Sequence, residues 1–126
     1  MTFTEIQQLF VQAQTWEQRY RHLILLAKQL EKPDDETLAN TPLIEGCESR
    51  LWFKLDGDRC IAYSDARILN GILFIIKTVL SETPTTQRSG LQITPLLQQL
   101  KINQRLSETR LNGLKKIEQL IQTHNS

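Results

Sequence analysis

The sequence contains only two cysteines and two histidines, and these four residues are scattered along the chain as His22, Cys47, Cys60 and His124. A structural zinc site usually takes four Cys or His ligands at clustered spacings, so no metal site is predicted. Two cysteines also do not resemble the dense disulfide frameworks of small secreted domains. We therefore expect a reducing, cytoplasmic environment.

The chain also lacks charge of one sign and long apolar runs. Fifteen basic against 14 acidic residues give a formal net charge of +1, so no broad field attracts nucleic acid or an anionic membrane. The apolar run at residues 72–76, which no other run exceeds in length, is far shorter than the roughly 20 residues of a membrane-spanning helix. The N-terminus has no basic segment followed by a hydrophobic one. We expect a soluble, unexported protein with no nucleic-acid or membrane partner.

Glycine-rich nucleotide signatures are missing as well. The chain has five glycines, and neither a P-loop nor a dinucleotide fingerprint is present among them. A length of 126 residues with 40% hydrophobic content suits a single domain with one modest core. We therefore treat residues 1–126 as one domain without nucleotide chemistry.

The first thirty residues predict two core-facing helices. Apolar side chains recur there at spacings of three and four, which lays one stripe along a helix: Ile6, Leu9, Phe10, Ala13, Trp16, Tyr20, Leu23, Ile24, Ala27 and Leu30. Thr15 followed by Gln18 indicates a capping box, so the stripe should break near Gln14 and Thr15. Residues 32–42, with two prolines, predict the first loop.

A β-hairpin is predicted next. RLWFKL and RCIAYS are short and rich in aromatic and aliphatic residues, and Asp56 and Gly57 between them suit a type I′ turn. With those two turn residues, Phe53 faces Cys60, and the two share a side that also carries Leu51, Leu55 and Ala62. Cys60 is then a core residue, while Trp52, Ile61 and Tyr63 lie on the other side.

Helices follow the hairpin. A central, very apolar helix is predicted after a cap at Ser64 or Asp65, and Gly71 inside it indicates that another backbone approaches closely. Thr94 and Pro95 have the cap and first-turn arrangement of a short helix through Leu100, and Ser107 caps a last helix. The fold class is therefore α+β, with a small antiparallel sheet packed against helices.

Cys47 is the strongest chemical candidate. It follows Gly46 at a loop-to-strand junction, where the missing Cβ lets another molecule's reactive group approach. Arg50 favours the thiolate, the species that attacks sulfur, whereas Glu48 opposes it. Taken alone, a cysteine in a small domain is usually buried and inert. In the register above, Cys47 lies on the order of 20 Å from Cys60, too far for a disulfide.

Arg67 and Arg110 each lie near the start of a predicted helix, against the preference for acidic residues in first turns. One interpretation is a surface ion pair for each, with Asp65 and Glu108 respectively. The other is that Arg110 holds the Cys47 loop or stabilises a thiolate or persulfide. Both interpretations stay open at this point.

Three ordered segments, LIEGCESRLWF, SDARILNGIL and LSETRLNGLKKI, resemble the signature segments of the SufE family, the SufE- and CsdE-like sulfur acceptors. The resemblance extends to WEQRYRHLILLAKQL and so covers nearly the whole chain from Trp16 onward. It implies the α+β sandwich shared with the IscU type of scaffold protein. That type uses three cysteines to hold a cluster, which this chain does not have.

The resemblance implies that the protein is not itself an enzyme. Cys47 would take sulfur as a transient persulfide from a pyridoxal-phosphate cysteine desulfurase, stimulate it, and deliver the sulfur to an iron-sulfur scaffold protein. No cofactor of its own is expected. Gly46, Arg50 and Arg110 are the supporting residues, and partner contact is expected at Glu48, Ser49, Asp65 and Arg67.

Two functions of other classes remain as alternatives. One is a stand-alone cysteine-nucleophile enzyme, which lacks a well-placed histidine to take the thiol proton. The other is a non-catalytic interaction module with structural cysteines. The second alternative predicts that neither thiol reacts under native conditions.

Overall fold

A computed structural model describes residues 1–46, 48–57 and 59–124 of the chain. The helices within these ranges are α1 (Phe3–Gln12), α2 (Trp16–Gln29), α3 (Asp35–Ala39), α4 (Arg67–Glu82), α5 (Ile93–Gln99) and α6 (Glu108–Thr123). The strands are β1 (Leu51–Asp56) and β2 (Arg59–Ser64), and short 3-10 helices span Thr85–Gly90 and Asn103–Arg105. The α+β class predicted from sequence is confirmed.

Helix α4 forms the centre of the core. Its residues from Ile68 to Ile76 are buried apart from the partly exposed Phe74, and it packs against α2, β2 and α1. The predicted close approach at Gly71 is confirmed: a Cβ there would lie 2.9 Å from the carbonyl carbon of Leu23 and closer still to its oxygen. The glycine thus allows α2 and α4 to pack backbone against backbone.

The hairpin is confirmed, but its register differs from the predicted one. Phe53 pairs with Ala62 and Leu55 with Cys60. The prediction that Phe53 faces Cys60 was therefore wrong, and the partner of Phe53 lies two residues further along β2. Asp56 pairs with Arg59 instead of turning, and the turn begins at Gly57, whose φ is +60°. Because the shift is two residues, the predicted faces survive, and Leu51, Phe53 and Ala62 are all buried.

The predicted helix starts are confirmed at two places and wrong at two. Thr15 accepts from the Gln18 amide and Ser107 from the Arg110 amide, so both cap their helices. Helix α5 begins at Ile93, before the predicted Thr94. The residue preceding α4 is Ala66, which has no capping side chain, because the side chains of Ser64 and Asp65 bind the backbone of Arg50 instead.

Two segments are more regular than predicted. Residues 32–42 contain α3, capped by Asp34, whose carboxylate accepts from the Thr37 amide at 2.7 Å. Beyond it, Leu43 bridges to Trp52 and adds a short pairing at the outer edge of β1. The helices among residues 1–46, 48–57 and 59–124 fall short of the length and apolar character needed to cross a membrane.

Candidate functional site

The loop that precedes β1 carries the predicted site, and its residues flanking position 47 lie along α6. Cys47 itself lies outside the described residues. Gly46 and Glu48, its neighbours in the chain, are both exposed. The site is therefore built from residues 45, 46 and 48–50 and from the helix side chains that contact them.

Glu48 is bound at the N-terminus of α6. The Ser107 hydroxyl donates to Glu48 Oε1 at 2.8 Å, and Arg110 Nε lies 3.3 Å from the same oxygen. Nε makes no hydrogen bond with any described residue, so this contact is an ion pair without hydrogen-bond alignment. The Glu48 side chain is 51% exposed, and such a pair contributes at most about 1 kcal/mol.

Arg110 also reaches Ser49. Its Nη2 donates to Ser49 Oγ at 3.3 Å, so one guanidinium contacts two consecutive residues of the loop. The alternative pairing of Arg110 with Glu108 is not formed among the described residues, where the ion pair of Arg110 is with Glu48. Arg110 therefore links the C-terminal side of the loop to α6.

Lys116 binds the other side of the loop. Its ammonium donates to the Glu45 carbonyl oxygen at 2.5 Å. Gly46 has φ of +85°, a backbone conformation that favours glycine, and a Cβ at Gly46 would lie 3.1 Å from Lys116 Nζ. The left-handed backbone therefore favours glycine at position 46, whereas the Lys116 ammonium, at the end of a flexible exposed side chain, could shift by a few tenths of an ångström to admit a Cβ.

Sequence reasoning missed Lys116 as a site residue, assigning it only to the outer face of the last helix. It is indeed exposed, but its contact joins residues 71 positions apart in the chain. No local pattern indicates such a contact. Arg110 and Lys116 are six residues apart, a rise of about 9 Å along α6, so the two anchors hold the loop along the first half of that helix.

Asp65 and Arg50 form the base of the loop. Asp65 Oδ1 accepts from the Arg50 amide at 3.0 Å, and the Ser64 hydroxyl donates to the Arg50 carbonyl oxygen at 2.6 Å. These bonds fix the point where the loop enters β1. The Arg50 side chain is exposed, next in sequence to the two residues that Arg110 contacts.

Arg67 is exposed as the first residue of α4. Its alternative assignment, an ion pair with Asp65, is wrong, since the residues that the structure describes form no such pair. Arg67 and Asp65 nonetheless lie together on the surface beside the loop base. Partner contact by either residue stays a prediction.

Cys60 has a different environment. It packs against the hydrophobic core, as predicted, but it is only partly buried and lines a cleft of about 320 Å³ together with Lys77 and Arg59. Burial raises the pKa of its thiol to about 11, against the opposing effect of the positive charges of Lys77 and Arg88. Near pH 7 this thiol is protonated and a poor nucleophile.

The arrangement suits an anionic group carried by the loop. Lys116 on one side of position 47 and Arg110 on the other supply positive charge, partly neutralised by Glu48. A nearby cation favours the charged form of a thiol or persulfide over the neutral form. No cluster of His, Cys, Asp and Glu able to hold a metal occurs among the described residues.

Comparison with known proteins gives one consistent result. The SufE family model, described as an Fe-S metabolism associated domain, matches residues 4–125. An uncharacterized SufE-like protein of Haemophilus influenzae is 41% identical over 113 residues, which are 86% of this chain and 90% of that protein. The sulfur acceptor protein CsdE of Escherichia coli is 28% identical over 126 residues, 96% of this chain and 86% of CsdE. An uncharacterized SufE-like protein of Rhizobium etli is 28% identical over 119 residues, 84% of this chain and 77% of that protein.

Proposed function

Because the chain belongs to the SufE family, we propose that it accepts persulfide sulfur from a cysteine desulfurase on Cys47 and carries that sulfur to iron-sulfur cluster assembly. The protein acts as a partner that stimulates the desulfurase. It holds no cofactor, since the pyridoxal phosphate belongs to the desulfurase. The observation that carries the proposal is the match of the SufE family model to residues 4–125. The attachment of both flanks of position 47 to α6, by Lys116 and by Arg110, supports it.

The transfer is a thiol-disulfide exchange. The Cys47 thiolate attacks the outer sulfur of the desulfurase persulfide and forms a new sulfur-sulfur bond. The old sulfur-sulfur bond breaks, and the desulfurase cysteine leaves as a thiolate. Oxidation states balance without an external oxidant, because one persulfide is consumed and one is made. A second exchange passes the sulfur to the scaffold protein.

The residues of the site have separate roles in this proposal. Gly46 provides the left-handed backbone and leaves room beside Lys116. Arg110 and Lys116 supply positive charge to a thiolate or persulfide, and Arg50 adds a third cation at the base of the loop. Glu48, Ser49, Asp65 and Arg67, exposed or partly exposed around the loop, are the residues that we assign to contact with the desulfurase.

Sulfur uptake tests the proposal directly. After incubation with a cysteine desulfurase, pyridoxal phosphate and free cysteine, intact mass should rise by added sulfur, and peptide mapping should confine that sulfur to the Cys47 peptide. Desulfurase turnover in the same tube should rise. No added sulfur and no stimulation with more than one desulfurase would contradict the proposal.

The loop must also leave α6 to reach a partner's active site. The anchors that the described residues form are few and exposed: Lys116 to Glu45, and Glu48 and Ser49 to the start of α6. Each anchor involves a charged group, whose hydrogen bond can contribute about 1.5–3 kcal/mol, but exposure to water reduces such contributions to about 1 kcal/mol or less. Release of the loop therefore requires little free energy for each anchor. We propose that docking exchanges these anchors for contacts with the desulfurase.

Hydrogen exchange measures this release. Lys116→Met removes the bond to the Glu45 carbonyl, so peptides spanning residues 44–50 should exchange about 2 to 10 times faster than in the wild type. Docking of desulfurase should change the exchange of the wild-type segment. Lys115→Met, which alters the neighbouring exposed lysine, is the matched control and should behave as wild type. Equal protection with and without desulfurase would contradict loop release.

A further inference from the structure

A groove on the side of the molecule formed by α1, α2 and α5 is lined by none of the residues that we assign to the sulfur transfer. It consists of two adjoining clefts of about 580 and 390 Å³ that share Arg19 and Lys101 in their walls. We call this the basic groove. One end is cationic and the other is apolar, so the groove presents two kinds of chemistry along its length.

The cationic end is lined by Arg19, Lys101 and Arg105 together with Trp16. The Arg105 guanidinium lies 5.5 Å from the centre of the Trp16 ring, a stacking that holds both groups at the wall. The remaining side chains of this cleft are Gln and Asn, so the described residues that line it include three cations and no carboxylate.

The Arg19 guanidinium is held in place by one hydrogen bond, and not all of its donors have partners. Its Nη2 donates to the Ala13 carbonyl oxygen at 3.1 Å, which fixes the guanidinium at the junction of α1 and α2. Its Nε is buried and has no hydrogen-bond partner among the described residues. A guanidinium carries five N–H donors, so donors beyond the one bound to Ala13 stay available for an acceptor that the described residues do not supply.

The backbone conformation of Lys101 is a second indication that this groove binds a ligand. It directly follows Leu100, the C-cap residue of α5, with φ of +60°, and no other described non-glycine residue has a positive φ. Helices usually place glycine at this position, because a Cβ is unfavourable in the left-handed conformation. A lysine here costs stability relative to glycine, and it adds a positive charge shared by both clefts.

The other end of the basic groove is apolar. Phe10, Val11, Ala13 and Leu100 contribute to its wall. Val11 is 83% exposed although it lies within α1. A single exposed aliphatic side chain is common on protein surfaces, but Val11 lies in a cleft that shares Arg19 and Lys101 with the cationic one, so the groove offers both apolar surface and positive charge.

We propose that the basic groove binds an extended peptide segment of a partner protein, with an apolar residue against Val11 and adjacent carboxylates against Arg19, Lys101 and Arg105. Charge complementarity favours carboxylates, and the elongated shape favours a chain over a compact ion. The Gln and Asn side chains along the walls suit the amide groups of a peptide backbone. The proposal does not depend on Cys47, whose function is tested separately.

Selection from a displayed library of random peptides about twelve residues long tests the proposal. Selected peptides should combine an apolar residue with two or more Asp or Glu residues. The best peptide, synthesised with a fluorophore, should lose at least about tenfold in affinity when its Asp and Glu become Asn and Gln. Cys47→Ser protein should bind that peptide as the wild type does.

Variants connect the binding to the groove. The double variant Lys101→Gln, Arg105→Gln should bind the peptide with an affinity at least about tenfold lower than the wild type. The control variant Lys54→Gln, Lys115→Gln removes two charges from exposed positions outside the groove and should have little effect on this affinity. Lys101→Gly should raise the melting temperature and still weaken binding. That combination distinguishes a binding role of Lys101 from a structural one.

Three outcomes would overturn the proposal. The first is a failure of the peptide test, seen either as a selection that yields no acidic peptides or as equal peptide binding by the wild type and the Lys101→Gln, Arg105→Gln variant. The second is tight binding of a single-stranded oligonucleotide or of inorganic pyrophosphate without binding of acidic peptides, which would assign the groove to phosphates. The third is a dimer in analytical ultracentrifugation that the same variant dissociates, which would make the groove a self-interface.

Discussion

Cys47→Ser protein should fold and dock normally but take up no sulfur, and desulfurase turnover should fall to the rate of the desulfurase alone. We expect a complete loss of sulfur uptake, because a serine hydroxyl forms no sulfur-sulfur bond and is scarcely ionised at neutral pH. Intact mass, desulfurase turnover and calorimetric binding measured on one preparation separate chemistry from docking. Sulfur transfer by the variant at a rate comparable to wild type would exclude Cys47 as the acceptor.

Cys60→Ser is the matched control, and it should transfer sulfur as the wild type does. The Cys60 thiol is partly buried and its pKa is raised to about 11, so it stays protonated near pH 7. The folded state therefore holds this proton more tightly than the unfolded state, and the corresponding stability is lost as pH rises from about 9 through 11. Equal losses of sulfur uptake in both cysteine variants would contradict a specific acceptor role of Cys47, because damage to the fold would then explain both losses.

The periodic parts of the fold were predictable because local patterns determine them. Apolar spacing and the Thr15 cap located the break between α1 and α2, and the alternation of the hairpin assigned the correct faces. The register was not determined locally. Asp56 and Gly57 suit a type I′ turn, but the observed pairing sets Phe53 opposite the small Ala62, where both are buried, and moves the turn one residue along.

In the candidate site, too, the features set by adjacent residues could be predicted, and most of those set by distant contacts could not. Its central segment was identified from a glycine, a cysteine and flanking charges, all adjacent in sequence. Its anchors join residues 59 to 71 positions apart. The place of Arg110 at a helix start left contact with the Cys47 loop as one of two interpretations, whereas no local pattern indicated the contact of Lys116. The assignment of Cys47 as acceptor therefore stays a prediction from the sequence and the family, while the contacts of Glu45, Gly46, Glu48 and Ser49 are observations of the structure.

Gly71→Ala should destabilise the protein by about 2 kcal/mol or more. Alanine in a helix gains about 1 kcal/mol over glycine from intrinsic propensity, but the new Cβ would overlap the Leu23 carbonyl group. The overlapping atoms belong to the backbone, so no side-chain rotation relieves them and α2 must move away from α4. Overpacking usually costs about 1–3 kcal/mol and sometimes more, and an overlap with backbone atoms as close as this one lies at or above the upper end. Subtracting the propensity gain leaves a net loss of about 2 kcal/mol or more. Thermal unfolding should shift downward by about 8 °C.

Gly90→Ala is the matched control for this prediction. A Cβ at Gly90 meets no atom within 4 Å, so its melting temperature should stay within about 2 °C of wild type. The pair of variants separates steric overlap from the general effect of replacing glycine. Helix α4 also packs against β2, and Ser64, the last residue of β2, helps fix the base of the Cys47 loop. Movement of α2 away from α4 should therefore also slow sulfur uptake by Gly71→Ala protein. A Gly71→Ala protein as stable as Gly90→Ala would show that α2 and α4 separate at little cost.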